Sequence, residues 1–288
     1  MNDNNDKIRI IPLGGVQEIG MNMTVIEYGN ELIIIDCGFM FPRYHMLGID
    51  YVIPDTSYLK DKNIIGLILT HGHEDHIGAI PHFLRNFPNI KIYGTRLTAA
   101  FLKAKLSDYK NEYKDIEIYE LEPRNKIKLG INFEIEFIRV NHSIPDGVGV
   151  AIKTPLGIII HTGDFKIDLN PTTDRFIDLY KFAEYGEKGV LLLLADSTNC
   201  QREGFSISES VVQSTIIPLF AYKDGMIIAA VFASSIERIQ DLVTAAKVNN
   251  KYITFSGRSL IKYTKIAEEM GYLNLYDIVI PIYKIKRY

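Results

Sequence analysis

The sequence predicts a layered α/β fold, on two observations. Up to about Ile160 it is a succession of short aliphatic runs bounded by turn residues, with two helical stretches between them, a pattern of helices covering sheets rather than alternating strictly with strands. From about Val190 the pattern becomes strand and helix in alternation, which implies βα units, a parallel sheet and right-handed crossovers.

In chain order, strands are expected at 8–13, 23–28, 31–35, 64–69, 131–140, 148–154 and 157–161. The last two read as a hairpin closing at Pro155-Leu156-Gly157. Helices are expected at about 76–87 and 95–108. Further on, strands at 190–194, 226–232 and 252–255 alternate with helices at 208–222, 235–249 and 259–270. There is no internal repeat, low-complexity segment or Pro/Gly/Ser linker, so the boundary is placed where the pattern changes, giving domains 1–205 and 206–288.

Composition narrows the function classes. With 288 residues, 47% of them hydrophobic and 23% charged, the chain is too apolar for disorder and long enough for a large core. Its two cysteines, Cys37 and Cys200, form no CxxC pair, which excludes a disulfide framework and a cysteine zinc ribbon and fits a reducing cytoplasm. The start MNDNNDKIRI lacks the basic and then apolar pattern of a signal peptide, and the longest aliphatic run, 190–195, is far short of a membrane span. A cytoplasmic protein without a membrane partner is therefore expected. The net charge of −3 announces no global nucleic-acid field, which leaves only a local patch for such a partner.

The chemistry-bearing signal is Thr70-His71-Gly72-His73-Glu74-Asp75-His76, which holds three of the seven histidines. If 64–69 is a strand, His71 and His73 project to one side of the segment leaving it, and Asp75 and His76 fall in the first turn of the next helix. Imidazole and carboxylate in two pairs suit two zinc or manganese ions about 3.5–4 Å apart. Without a metal, four such groups would suffer mutual desolvation and repulsion. His142 and Asp164 sit at later strand ends. Alone they read as a loop histidine and a Gly-Asp turn; beside the first cluster they read as a third imidazole for one ion and a bridging carboxylate for the other.

Asp36 and Asp196 each close an aliphatic strand and read equally as turn residues or as acceptors for a ligand histidine's other N–H. Cys37 reads as a small buried residue, and His45, His82 and His161 as structural or surface histidines. Gly14-Gly15 and Gly20 form a glycine-rich loop without GxGxxG spacing or a phosphate-loop lysine, a weak motif alone. Lys103, Lys105, Arg258 and Lys262 are candidates for a local nucleic-acid patch, although charged helix faces are more often simply solvated.

The motif His71-x-His73-x-Asp75-His76, with His142, Gly163-Asp164 and Asp36, resembles the metallo-β-lactamase superfamily of two-metal hydrolases. LGGVQEIGMNM, MLGIDYVIPDTSYL, THGHEDHIGAIP, GVGVAIKTPLGIIIHTGDFKID, LLADSTN, VFASSIERIQ and FSGRS narrow the resemblance to the ribonuclease J family of the β-CASP group, from about Lys7 onward. The resemblance implies an α/β fold: an incomplete metallo-β-lactamase αββα sandwich followed by a partial β-CASP parallel α/β domain. It assigns His71, His73 and His142 to one metal, Asp75 and His76 to the other, Asp164 as the bridge, and Asp36 and Asp196 to supporting acidic positions. Asp75 and His76 are the implied catalytic pair.

The implied cofactors are two divalent ions, zinc first and manganese as the alternative. The implied activity is cleavage of single-stranded RNA, as 5′-to-3′ exonuclease or endonuclease, by a metal-activated hydroxide attacking phosphorus. The family's Ser-Gly-His segment and its last metal-binding histidine have no counterpart, since His161 is the final histidine. A truncated or split form is expected, completed by a C-terminal chain or a homo-oligomer. The residues 280–288 read as the entry to another strand. The alternatives are a catalytically incompetent RNA-binding or partner subunit, and another hydrolase of the fold such as a thioesterase.

Overall fold

The computed structural model describes residues 7–109, 112–113, 115–221 and 225–287. The polar start up to residue 6, Tyr222 at the end of one expected helix and the final Tyr288 lie outside the described residues. The chain forms two compact units. One comprises the residues up to Val140, Asp146–Phe165 and Asp178–Ser197; the other comprises Asn141–Pro145, Lys166–Ile177 and the residues from Thr198.

The first unit is built on two sheets. One has six strands in sequence order: β1 (Ile8–Gly14), β2 (Met23–Tyr28), β3 (Glu31–Ile35), β4 (Ile64–Ile68), β5 (Ile92–Gly94) and β6 (Ile118–Glu120). β1, β2 and β3 pair antiparallel, and β3 to β6 pair parallel. Parallel neighbours require a crossover. Between β4 and β5 it is made by α1 (Glu74–Ile77) and α2 (Ile80–Asn86), and between β5 and β6 by α3 (Arg96–Leu106), which packs on both of those strands.

The other sheet comprises β7 (Lys126–Leu129), β8 (Phe133–Arg139), β9 (Val148–Thr154), β10 (Gly157–His161) and β11 (Leu192–Leu194), in spatial order β11-β10-β9-β8-β7. Strand alternation explains the packing. Ile33 and Ile35 of β3 and Ile68 of β4 share one buried cluster with Phe133, Ile135 and Phe137 of β8 and Val148, Val150 and Ile152 of β9, each strand giving every second residue. The opposite parity of the second sheet, Ile138, Ala151 and Ile160, packs with Phe182 and Tyr185 of α4 (Leu179–Lys188). Asp178 starts that helix by accepting the Lys181 N–H at 3.2 Å. Helices thus cover paired sheets, the expected αββα sandwich.

Three expectations for the first unit need correction. The single helix at 76–87 is two short ones, because Pro81 in the first turn of α2 favours a fresh helix start there. The run at 190–194 does not open a separate βα unit: β11 pairs parallel with β10 at the edge of the second sheet. The short strands β5, β6 and β7 and the helix α4 come in addition to the expected elements.

In the second unit α5 (Glu209–Ala221), α6 (Ile236–Val248) and α7 (Arg258–Glu269) match the three expected helices, and α5 packs on α6. α6 buries Ile236, Ile239, Val243 and Ala246, the spacing of one helical face. The expected parallel sheet is absent from the described residues beyond Leu194: 226–232 and 252–255 form no strand, and the pairing there is one isolated bridge between Ile253 and Val279. A strand exists only through a ladder partner, and none flanks 226–232, where Met226, Ile228 and Phe232 stay exposed. The tail expected to enter a strand forms a 3-10 helix at Ile282–Arg287 instead. No helix among the described residues is long and apolar enough to cross a membrane.

Candidate metal centre

Sheet direction brings the candidate residues together. Asp36 follows β3 and Thr70 follows β4, parallel neighbours whose C-terminal ends lie side by side. β8 and β10 are each antiparallel to β9, so His142 and Asp164 leave the second sheet at one shared end. The Val148 N–H donates to the Thr70 carbonyl at 3.0 Å, tying the two sheets at that point.

Asp36 is the buried anchor. It is 1% exposed and holds the left-handed backbone angle φ 61°, which aspartate tolerates better than most residues. Its Oδ1 accepts the Thr70 N–H at 2.8 Å and its Oδ2 accepts the Thr70 hydroxyl at 2.8 Å; the same Oδ2 lies 2.7 Å from His76 Nδ1. A carboxylate there accepts a hydrogen bond from Nδ1–H, which leaves His76 Nε2 as the nitrogen a cation would take. Thr70 Oγ1, its proton given to Asp36, accepts from His71 Nδ1 at 3.0 Å, so His71 Nε2 also turns its lone pair inward.

Two donor groups result. His71, His73 and His142 offer ligand atoms within 4.8 Å of one another, and so do His71, His76 and Asp164. His71 Nε2 and His73 Nδ1 face each other at 3.0 Å, an arrangement that needs a proton or a cation between two nitrogen lone pairs. His76 Nε2 lies 3.4 Å from Asp164 Oδ2 and 3.6 Å from Asp75 Oδ2. Asp75 falls in neither donor group and reaches the centre through His76. Gly38 allows this approach, because a β-carbon there would sit 1.6 Å from the Asp75 carbonyl oxygen.

The electrostatics ask for positive charge. Burial pushes the Asp75 carboxyl above its ordinary value. Burial alone would lower His76, but Asp164 and Asp36 outweigh it and hold the imidazole well above its usual range. Cations suit this cluster of inward lone pairs and crowded carboxylates, so the donors present fit two divalent ions.

The remaining candidates fall as follows. The Asp196 N–H donates to Thr162 Oγ1 at 3.0 Å, and neither donor group includes its carboxylate. Cys37 is buried, which raises its thiol and accords with a packing role. His45 is exposed, and the His82 ring packs at a tilt against Tyr51, with centroids 5.0 Å apart. His161, expected to be structural or surface, is half-buried near the site, where its Nδ1 accepts the Gly163 N–H at 3.1 Å and burial lowers its pKa. Lys103 pairs with Glu120 on an exposed helix face, whereas Lys105 is partly buried against Glu74. Sequence reasoning missed Asn22, whose Nδ2 lies 3.1 Å from His76 Nε2; the flanking Gly14, Gly15 and Gly20 were the available signal.

Paired sheets under helices, with a histidine and aspartate cluster at the strand ends, define a metal-binding α/β sandwich. The chain belongs to the metallo-beta-lactamase superfamily, whose family model matches residues 18–198. Residues 224–288 match the beta-CASP domain of ribonuclease J. Among curated relatives, the chain is 40% identical over 284 residues to ribonuclease J of Synechocystis sp., covering 98% of this chain and 44% of that protein. It is 39% identical over 288 residues to ribonuclease J of Thermus thermophilus, covering 98% and 50%. With ribonuclease J2 of Bacillus subtilis it shares 40% over 288 residues, covering 99% and 51%. The chain thus spans about half the length of these relatives. A solved structure of a protein of unknown function from Enterococcus faecalis shares the fold, with TM-score 0.68 and 16% identity, over 97% of this chain and 74% of that one.

Proposed function

We propose that the chain carries the metal centre of a ribonuclease J-type hydrolase that cleaves phosphodiester bonds of single-stranded RNA. The observation that carries the reading is the pair of donor groups around His71, set at the ends of β4, β8 and β10. His71, His73 and His142 would hold one divalent ion, and Asp75, His76 and Asp164 the other, with zinc or manganese suited to both sets. Bound there, the ions supply Lewis acidity and lower the pKa of a water.

The chain's own residues do the rest. Asp36 fixes the His76 tautomer, Thr70 fixes that of His71, and Asp75 and His76 are the pair beside the reacting phosphate. Asp196 supports the Thr162 to Asp164 turn through its backbone. The 40% identity to ribonuclease J proteins supports RNA as the substrate class. Residues 162–288 contain no histidine, so any further imidazole at the centre would come from outside them, from a C-terminal segment or a second copy. The reading places the protein in the cytoplasm.

The test is loss of 5′-monophosphorylated single-stranded RNA with manganese or zinc, with the chain alone and with the C-terminal half of a ribonuclease J added. Cleavage by the wild type, abolished in His73→Ala, is expected in at least the second arm. RNA binding without cleavage in both arms would contradict the reading and favour a non-catalytic RNA-binding subunit.

A further inference from the structure

We propose that Asn22 is a positioning residue of the metal centre, its side-chain amide holding Asp75 in place for the second cation. The proposal rests on the two-cation reading above. Asn22 ends the glycine-rich loop before β2. Its Nδ2 lies 3.1 Å from His76 Nε2, 3.1 Å from the Asp75 carbonyl oxygen and 3.4 Å from Asp75 Oδ2. The backbone is pinned at the same place: the Asn22 N–H donates to the Asp75 carbonyl at 3.0 Å, and the Asn22 carbonyl accepts the Gly38 N–H at 3.0 Å.

A β-carbon on Gly15, which has φ 81°, would stand 2.5 Å from Asn22 Oδ1, so glycine leaves the space that lets the amide seat against Asp75. A neutral donor holds Asp75 without bringing a charge that competes with the cation, as lysine or arginine would.

Asn22→Ala removes the amide, and Asn22→Leu removes it while keeping its volume. Calorimetric titration with Mn²⁺ should show the weaker of two sites losing about 10–100-fold in affinity in both variants, with the tighter site unchanged. Long-range ¹H–¹⁵N spectra of the metal-free chain should show the His76 Nε2 resonance moving while His71 stays. Unchanged weak-site affinity and an unmoved Nε2 resonance in both variants would overturn the proposal, as would equal weakening of both sites, the sign of a merely structural role. A wild-type chain that takes up fewer than two ions overturns the two-cation reading instead, and the wild-type titration alone separates that case.

Discussion

Asp36 Oδ2 lies 2.7 Å from His76 Nδ1 and 2.8 Å from the Thr70 hydroxyl, so one buried carboxylate sets the orientation of ligands that leave two adjacent strands. Replacing it tests whether that orientation matters to the centre. Asp36→Asn keeps the shape and the tolerance for a left-handed backbone but loses the charge that holds the Nδ1 proton. The expected result is a loss of about 10–100-fold in affinity for the ion at His76, measured by chelator competition. Asp36→Ala additionally strands the buried Thr70 N–H and hydroxyl and should cost about 1–3 kcal/mol per stranded group in urea unfolding.

On the two-cation reading, stability should follow ion concentration. At a free Mn²⁺ level 100 times the dissociation constant, each site is expected to add about 2.7 kcal/mol, less any binding to unfolded histidines. A chelator should lower the melting temperature of the wild type, and should lower that of His73→Ala by a smaller interval. Equal shifts in the two would show that His73 holds no ion.

Much of this architecture is legible in the sequence, and the lapses have physical causes. β2, β3, β9 and β10 match their expected residues because long β-rich runs between turns leave little freedom of register. β5 and β6 are three-residue strands, too short to show a period. α4 carries an apolar stripe in Leu179, Phe182 and Tyr185, and only Gly186 within its ten residues argues against a helix there. The runs at 226–232 and 252–255 have strand composition, yet pairing is a tertiary property that composition does not carry. At the centre, His71, His73 and His76 announce themselves by spacing, whereas Asn22 is a lone amide whose meaning comes from where a glycine loop folds.

The second unit carries its own pH dependence. Glu237, 9% exposed, has its carboxyl pushed up to about 7, chiefly by burial and then by Glu209 and Asp241 against Lys166 and Arg175. Asp241 is pushed up to about 6, again by burial first. Both folded values exceed the ordinary ones, so the native state holds the extra protons. The stabilisation from the neutral forms is full below about pH 4 and is lost as the pH rises through 6 and 7. Urea unfolding between pH 5 and 8 should therefore show stability falling with pH, and Glu237→Gln should flatten the slope by about 3 kcal/mol at most across that window.

The sandwich core makes a separate prediction. Phe137 on β8 is fully buried between the sheets, so Phe137→Ala should cost about 3–5 kcal/mol in urea unfolding. A cost below about 1 kcal/mol would mean that the sheets do not pack through this strand.

The most direct test of the account is the metal content of the purified chain after equilibration with Mn²⁺ or Zn²⁺ and removal of excess, read by elemental analysis beside His76→Ala and His73→Ala. Two ions per wild-type chain and one in each variant is the predicted result. An ion-free wild type, or a His76→Ala chain that still holds two, would contradict a two-cation centre built on these residues.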